Sequence, residues 1–314
     1  MRGKYKQKQI KRFFSFSDYC IDTFKMKTYK LSLDAGFSCP NRDGKIDTRG
    51  CIFCSAGGSG EFAERLTCSN LDSAIEDAKL KVATKVPNEC GYIAYFQNYT
   101  NTYAEASELE KIFLPVILRD DILAISIATR PDCLPPAVID LIARLNAIKP
   151  VFVELGLQTI HPQTARFIRR GYDLEVFDKG VEDLKSTGAK ITVHLIIGLP
   201  NESEEMIVQS VRYIASKGVH GVKFHLLHFL ENTDLASLYR DGKINALSME
   251  EYTYLLSKCI LALPKDIVVH RITGDAPKNL LIAPLWSANK KAVLNYITKY
   301  FNEHDIIQGK DAYN

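Results

Sequence analysis

Six short β-rich runs punctuate the chain, at residues 28–34, 92–97, 122–129, 151–158, 191–198 and 222–229. Several are nearly continuous in Val, Ile and Leu, as expected of parallel strands covered by helices, so each is read as a buried strand. Between them the apolar period lengthens. SNLDSAIEDAKLKVA, from Ser69, reads as a helix with Ser69 or Asn70 as N-cap. PNESEEMIVQSVRYIASKG places Met206, Val208, Val211, Ile214 and Ala215 near helical spacing and stops at Gly218. Strand and helix alternate six times, which predicts an α/β fold, a partial TIM-like (β/α)6 barrel, with a further strand available at 266–272. The pattern divides the chain into a basic N-terminal arm (1–27), a barrel core (28–265) and a C-terminal extension on the substrate side (266–314). In such a barrel, chemistry sits where strands end and helices begin.

Composition narrows the class. With 314 residues, 46% of them hydrophobic, the chain can bury a large core. Its net charge of +3 is too mild to demand a polyanionic partner, but the distribution is uneven. Arg2, Lys4, Lys6, Lys8, Lys11 and Arg12 all precede the first acid, Asp18, with Tyr5, Phe13, Phe14 and Phe16 among them. Such an arm suits phosphate neutralisation and base stacking, and equally a solvated tail. No apolar run approaches the roughly 18 residues that span a bilayer, and no signal-peptide core is present, so a cytoplasmic location with no membrane partner is expected. In that reducing compartment, eight cysteines argue for free thiols plus a metal site.

The metal site has an address. CPNRDGKIDTRGCIFCSAGG follows the first strand and carries Cys39, Cys51 and Cys54 in a glycine-rich loop. Two readings stand at this point. Zinc would take four ligands, with Cys68 or a distant histidine completing the set. A [4Fe–4S] cluster held by three thiolates would leave one iron open to a small molecule, and Phe53 and the glycines suit a loop that also cradles that ligand. Cys20, Cys68, Cys90, Cys133 and Cys259 are most simply small apolar residues.

The cysteine loop, the six βα units and the later motifs resemble the radical S-adenosylmethionine (SAM) superfamily. They resemble in particular its YhcC-type branch, which is similar to the elongator acetyltransferase-like proteins and to oxygen-independent coproporphyrinogen oxidase. The common C-x3-C-x2-C spacing is widened here between Cys39 and Cys51, as in the elongator-like branch. The resemblance implies a [4Fe–4S] cluster and SAM as cofactors, and reductive cleavage of SAM to a 5′-deoxyadenosyl radical that abstracts a substrate hydrogen.

The same resemblance assigns the SAM contacts. QNYTNTYAE occupies the place of the segment that meets the SAM amino group, through Thr100, Asn101 and Thr102; the alternative is a turn in which Asn101 or Thr102 caps the next helix. Thr129 and Arg130 lie at the mouth of the third strand. Gln158 of ELGLQT matches a ribose-binding glutamine. Arg170 of FIRRG matches an arginine for the SAM carboxylate, with Arg169 adjacent. His194 of HLIIGLP stands where the family has a ribose-binding acid, and Gly198 permits close approach of backbone to adenine.

Substrate choice is expected of VKFHLLHF and HRITGDAP. His225 and His228 are candidates for acid, base or phosphate contact, and Arg271 and Asp275 flank the turn beyond them. Lys278, Lys290, Lys291 and Trp286 form a basic and aromatic rim suited to a tRNA loop. The resemblance implies a tRNA-modifying radical SAM enzyme that works on a wobble-uridine side chain, carboxymethylaminomethyl to aminomethyl for example, and is served by a low-potential electron donor. The alternatives are a radical SAM enzyme for a small metabolite or protein side chain, and a zinc-stabilised RNA-binding module without catalysis.

Overall fold

The computed structural model describes residues 11–58, 62–85 and 90–312. The strands are β1 (Thr28–Asp34), β2 (Glu64–Arg65), β3 (Gly91–Phe96), β4 (Ile122–Thr129), β5 (Val151–Gln158), β6 (Lys190–Ile197), β7 (Gly221–Leu226), β8 (Phe229–Leu230), β9 (Val268–Arg271) and β10 (Leu281–Ala283). Eight form one curled sheet in the order β2-β1-β3-β4-β5-β6-β7-β9. Every pairing in it is parallel, giving the expected partial TIM-like barrel. Helices cover the outer face because strands such as β5 are buried along almost their whole length.

The helices are α1 (Phe16–Phe24), α2 (Leu71–Val82), α3 (Ala106–Leu118), α4 (Pro136–Ile148), α5 (Pro162–Phe167), α6 (Leu174–Lys185), α7 (Glu204–Ser216), α8 (Asp234–Arg240), α9 (Met249–Ala262) and α10 (Lys290–Glu303). Asn70 is the residue that precedes α2, and its side chain accepts the Thr67 backbone N–H at 2.6 Å rather than capping the helix. α7 begins at Ser203, whose hydroxyl accepts the Met206 N–H, and the chain leaves it through Gly218 at φ +63°.

Two expectations change. The sixth run does not remain one strand to residue 229: β7 stops at Leu226, and Phe229–Leu230 pairs with β10 in a separate antiparallel ribbon. The run reads as continuous because the residues beyond the break, Leu227 and Phe229, stay buried after leaving the sheet. The second change concerns the arm. Residues 1–10 lie outside the described residues; within 11–27, the aromatics pack inward. Phe16 meets Phe152 edge-on at 5.4 Å and stacks on His270 at 4.1 Å, while Phe13 meets Phe301. Ser15 and Asp18 form a capping box that starts α1, which closes the end of the barrel where strands begin. Phe13 and Phe16 therefore pack into the protein instead of waiting for bases. At the other end of the chain, the further strand expected at 266–272 forms as β9 in the main sheet, and Val293, Ile297 and Phe301 of α10 join the main core. The two termini interlock: Gln308 accepts the Phe14 N–H, and Arg12 donates to Asn302 and Asp305.

Candidate active site at the mouth of the barrel

A cavity of about 350 Å³ opens where the strands end. Cys39, Cys51 and Cys54 of the loop after β1 line it from one end of the sheet, and His225, His228, Arg271 and Asp275 from the other. The loop is shaped by its own polar residues. Arg42 Nη2 donates to the carbonyls of Cys54 and Ser55, both at 2.7 Å, and passes beside Gly50, whose φ of +77° suits glycine. Asn41 Nδ2 donates to the Arg169 carbonyl at 2.8 Å and approaches Cys51 Sγ at 3.5 Å. Burial, aided by the neighbouring Cys54, pushes the Cys51 thiol up to about 11, against the field of Arg130.

These donors fit an iron–sulfur centre. Three thiols face one hollow, and the guanidiniums of Arg42 and Arg130 stand beside them as positive charges. Among the described residues, no three His, Cys, Asp or Glu side chains converge as a single-ion site. Cys68, the candidate fourth zinc ligand, is exposed and outside the cavity lining.

The SAM candidates separate into two sets. Phe53, Thr100, Thr129, Arg130, Gln158, Arg170 and His194 line the cavity. Thr100 Oγ1 is buried with no protein partner, as a ligand-binding hydroxyl would be. Gln158 ends β5 at a register break and adopts φ +66°, a strained backbone for a residue with a side chain. Arg170 is 2% exposed; its Nη1 donates to the carbonyls of Leu157 and Thr159, and its plane lies over Tyr172 at 4.4 Å. Arg169 instead pairs with Asp234 at 2.6 Å and is absent from the lining, so Arg170 is the arginine of the pair that reaches the cavity.

Asn101, Thr102 and Gly198 are not lining residues. Asn101 Nδ2 ties together the carbonyls of Phe96, Asn98 and Ala128, and Thr102 bonds the Thr129 hydroxyl and the Cys133 carbonyl. Neither caps α3, whose N-cap is Glu105. Gly198, at φ +95°, faces Leu247: an added Cβ would sit 2.8 Å from that side chain, so close packing requires the glycine. Arg130 already holds a carboxylate of this chain, Asp132, through Nε at 2.9 Å and Nη2 at 2.8 Å.

Among the residues lining the cavity is a group that sequence reasoning missed. Glu154, fully buried on β5, accepts hydrogen bonds from Lys30 at 2.7 Å, Ser126 at 2.7 Å, His194 at 2.9 Å and Lys223. Lys223 also donates to Tyr95 at 3.0 Å. Burial alone would protonate Glu154, but the Lys223 and Lys30 ammoniums outweigh it and hold the carboxyl well below its usual range. Burial pushes His194 down to about 4, so its imidazole is neutral at pH 7. The one signal in the sequence was an acid inside an apolar run, a residue rarely buried unless paired.

Comparison with known proteins places this arrangement. The Radical SAM superfamily model matches residues 48–214, and the Radical_SAM C-terminal domain model matches 219–303. Protein YhcC of Escherichia coli (strain K12) is 34% identical over 284 residues, covering 90% of each chain. This chain belongs to the radical SAM superfamily. Its cofactors are accordingly a [4Fe–4S] cluster and SAM. Within the superfamily it is also 42% identical to the uncharacterized protein YtqA of Bacillus subtilis (strain 168) over 300 residues, 96% of this chain and 92% of that one. The tRNA uridine(34) acetyltransferase of Methanocaldococcus jannaschii is 28% identical over 187 residues, 59% of this chain and 34% of that protein. The solved structure of Methanocaldococcus infernus Elp3 shares the fold, with a TM-score of 0.66 at 19% identity over 90% of this chain and 64% of its own. No described helix of this radical SAM protein is long and apolar enough to cross a membrane.

Proposed function

We propose that this radical SAM enzyme modifies the side chain of a wobble uridine in tRNA: the N–CH2 carbon of a carboxymethylaminomethyl group is oxidised to an imine that water hydrolyses, leaving an aminomethyl group and releasing the two carboxymethyl carbons as glyoxylate. The two electrons are taken up as SAM is converted to 5′-deoxyadenosine and methionine. What supports the reading is one cavity joining a three-cysteine loop to a wall of polar side chains, in a chain whose relatives include a tRNA uridine(34) acetyltransferase. Cys39, Cys51 and Cys54 hold the cluster. Thr100, Gln158, His194 and the Nη2 edge of Arg170 bind SAM, and Phe53 and Thr129 shape its pocket. Arg130 keeps that pocket in place through Asp132 and the Arg170 carbonyl. Once bound, the cluster and SAM supply a 5′-deoxyadenosyl radical that takes a hydrogen from the substrate, with electrons from a low-potential donor.

The protein's own residues prepare the site. Glu154 orients His194 through Nε2, which fixes a neutral imidazole at the cavity floor. His225 and His228 stand beside it on the same wall, while Arg271 and Asp275 meet the substrate side chain. Lys278, Lys290 and Lys291 offer the polynucleotide a basic rim. The test is an anaerobic reaction of reconstituted protein, SAM, dithionite and tRNA from a strain blocked at this step, followed by nucleoside mass spectrometry. Loss of the carboxymethyl nucleoside with matching 5′-deoxyadenosine supports the proposal. Unchanged nucleosides in the presence of an active cluster contradict it, and point to a metabolite or protein substrate.

A further inference from the structure

We propose that His225, His228 and Arg271 together form a binding subsite for a carboxylate of the substrate. His225 lies on β7 and His228 two residues past its end, and both line the cavity. The Nε2 atom of each is buried with no hydrogen-bond partner. Native structures seldom leave buried nitrogens unpaired, and two on one cavity wall mark a place that a ligand completes.

The third member supplies charge. Arg271 ends β9, and its ion pair with Asp275 is long, 3.7 Å, whereas Lys290 holds the same Asp275 oxygen at 2.7 Å. Lys290 therefore satisfies Asp275, and the Arg271 guanidinium keeps donors for a ligand, in the fork geometry that matches a carboxylate. Gly274 lets the loop backbone pack against His228, since an added Cβ would fall 2.8 Å from its ring.

Charge balance selects the ligand class. Burial lowers both histidines, His228 to about 4, so each is a neutral donor at pH 7. One guanidinium and two neutral imidazoles compensate a single negative charge. A carboxylate carries one, whereas a phosphate monoester carries close to two. Asp275, at the same wall, then faces the amine that neighbours the carboxylate in an amino-acid-like side chain.

This inference rests on the cavity being the reaction site, and its test separates the two. Reconstituted full-length protein with saturating SAM is titrated anaerobically with N-methylglycine and with N-methylglycinamide, which keeps the amine and lacks the carboxylate charge, and binding is read by saturation-transfer NMR. The acid binds at least about tenfold more tightly than the amide, the gap expected for a hydrogen-bonded charge. Arg271→Gln removes that preference and Arg271→Lys restores part of it, with visible absorbance of the cluster confirming that both variants fold and load. Equal affinity for acid and amide in the native protein, or an undiminished preference in Arg271→Gln, overturns the subsite. Acid-selective binding with unmodified tRNA nucleosides keeps the subsite and rejects the tRNA reading; modified tRNA without acid selectivity does the reverse.

Discussion

Replacing Glu154 by Gln removes the single carboxylate on which Lys30, Ser126, His194 and Lys223 converge. Glu154 is fully buried and the Lys223 side chain is 4% exposed; burial already holds the Lys223 ammonium well below the usual lysine range beside Glu154, so without that carboxylate the group can neither turn to water nor keep its proton without cost. Breaking one partner of a buried pair costs about 3–5 kcal/mol, well above the 0–1 kcal/mol of an exposed pair. At roughly 2 °C per kcal/mol for a chain of this length, Tm falls by about 6–10 °C. Circular dichroism on the metal-free protein measures this without interference from cluster loss. The double variant Glu154→Gln/Lys223→Met is the control: it removes the stranded charge, so it is destabilised by less than the sum of the two single changes. A Glu154→Gln protein within about 1 kcal/mol of the native chain, or a strictly additive double variant, refutes the claim that this pair is a coupled charge centre.

Further outcomes follow from the same structure. His220 is lowered from 6.5 to about 4 by burial, so the unfolded chain binds more protons between those values. Stability is therefore complete above about pH 6.5 and drains as pH falls toward 4; His220→Phe makes the guanidinium midpoint less dependent on pH in that window. Phe16→Ala costs roughly 3 kcal/mol in denaturant unfolding because the ring packs on Phe152 and His270, and it leaves the salt dependence of tRNA retention on a filter unchanged. Cys68→Ser retains the iron and sulfide content of the reconstituted native protein, whereas Cys51→Ala loses both while keeping its far-ultraviolet circular dichroism.

The sequence carried the barrel because buried strands are made by composition. The runs at 122–129 and 151–158 coincide with β4 and β5, and 191–198 is displaced from β6 by one residue. β2 was illegible: two polar residues, Glu64 and Arg65, pair with β1 only because the sheet edge is there. The N-terminal aromatics misled because lysines surround them in sequence while the rings turn toward Phe152, His270 and Phe301 in space. At the site, the thiols announced themselves by residue type, and Gln158 and Arg170 by their motifs. Glu154 stayed hidden because its partners lie 124, 69 and 40 residues away, a distance over which no local pattern reports. Asn101, Thr102 and Gly198 stand in the right loops but outside the cavity lining: the Asn101 amide nitrogen bonds three backbone carbonyls, Thr102 bonds Thr129 and the Cys133 carbonyl, and Gly198 packs on Leu247.

The measurement that bears hardest on the whole reading is electron–nuclear double resonance on the reduced, reconstituted protein, bound to SAM labelled at its amino nitrogen and carboxylate oxygens. Three cysteines leave one iron without a protein ligand, so label coupling to the cluster is expected, present in Cys68→Ser and lost with the cluster in Cys51→Ala. A fully loaded cluster that shows no coupling to the label, or one that Cys51→Ala leaves intact, contradicts the assignment of the Cys39, Cys51 and Cys54 loop as the radical SAM centre.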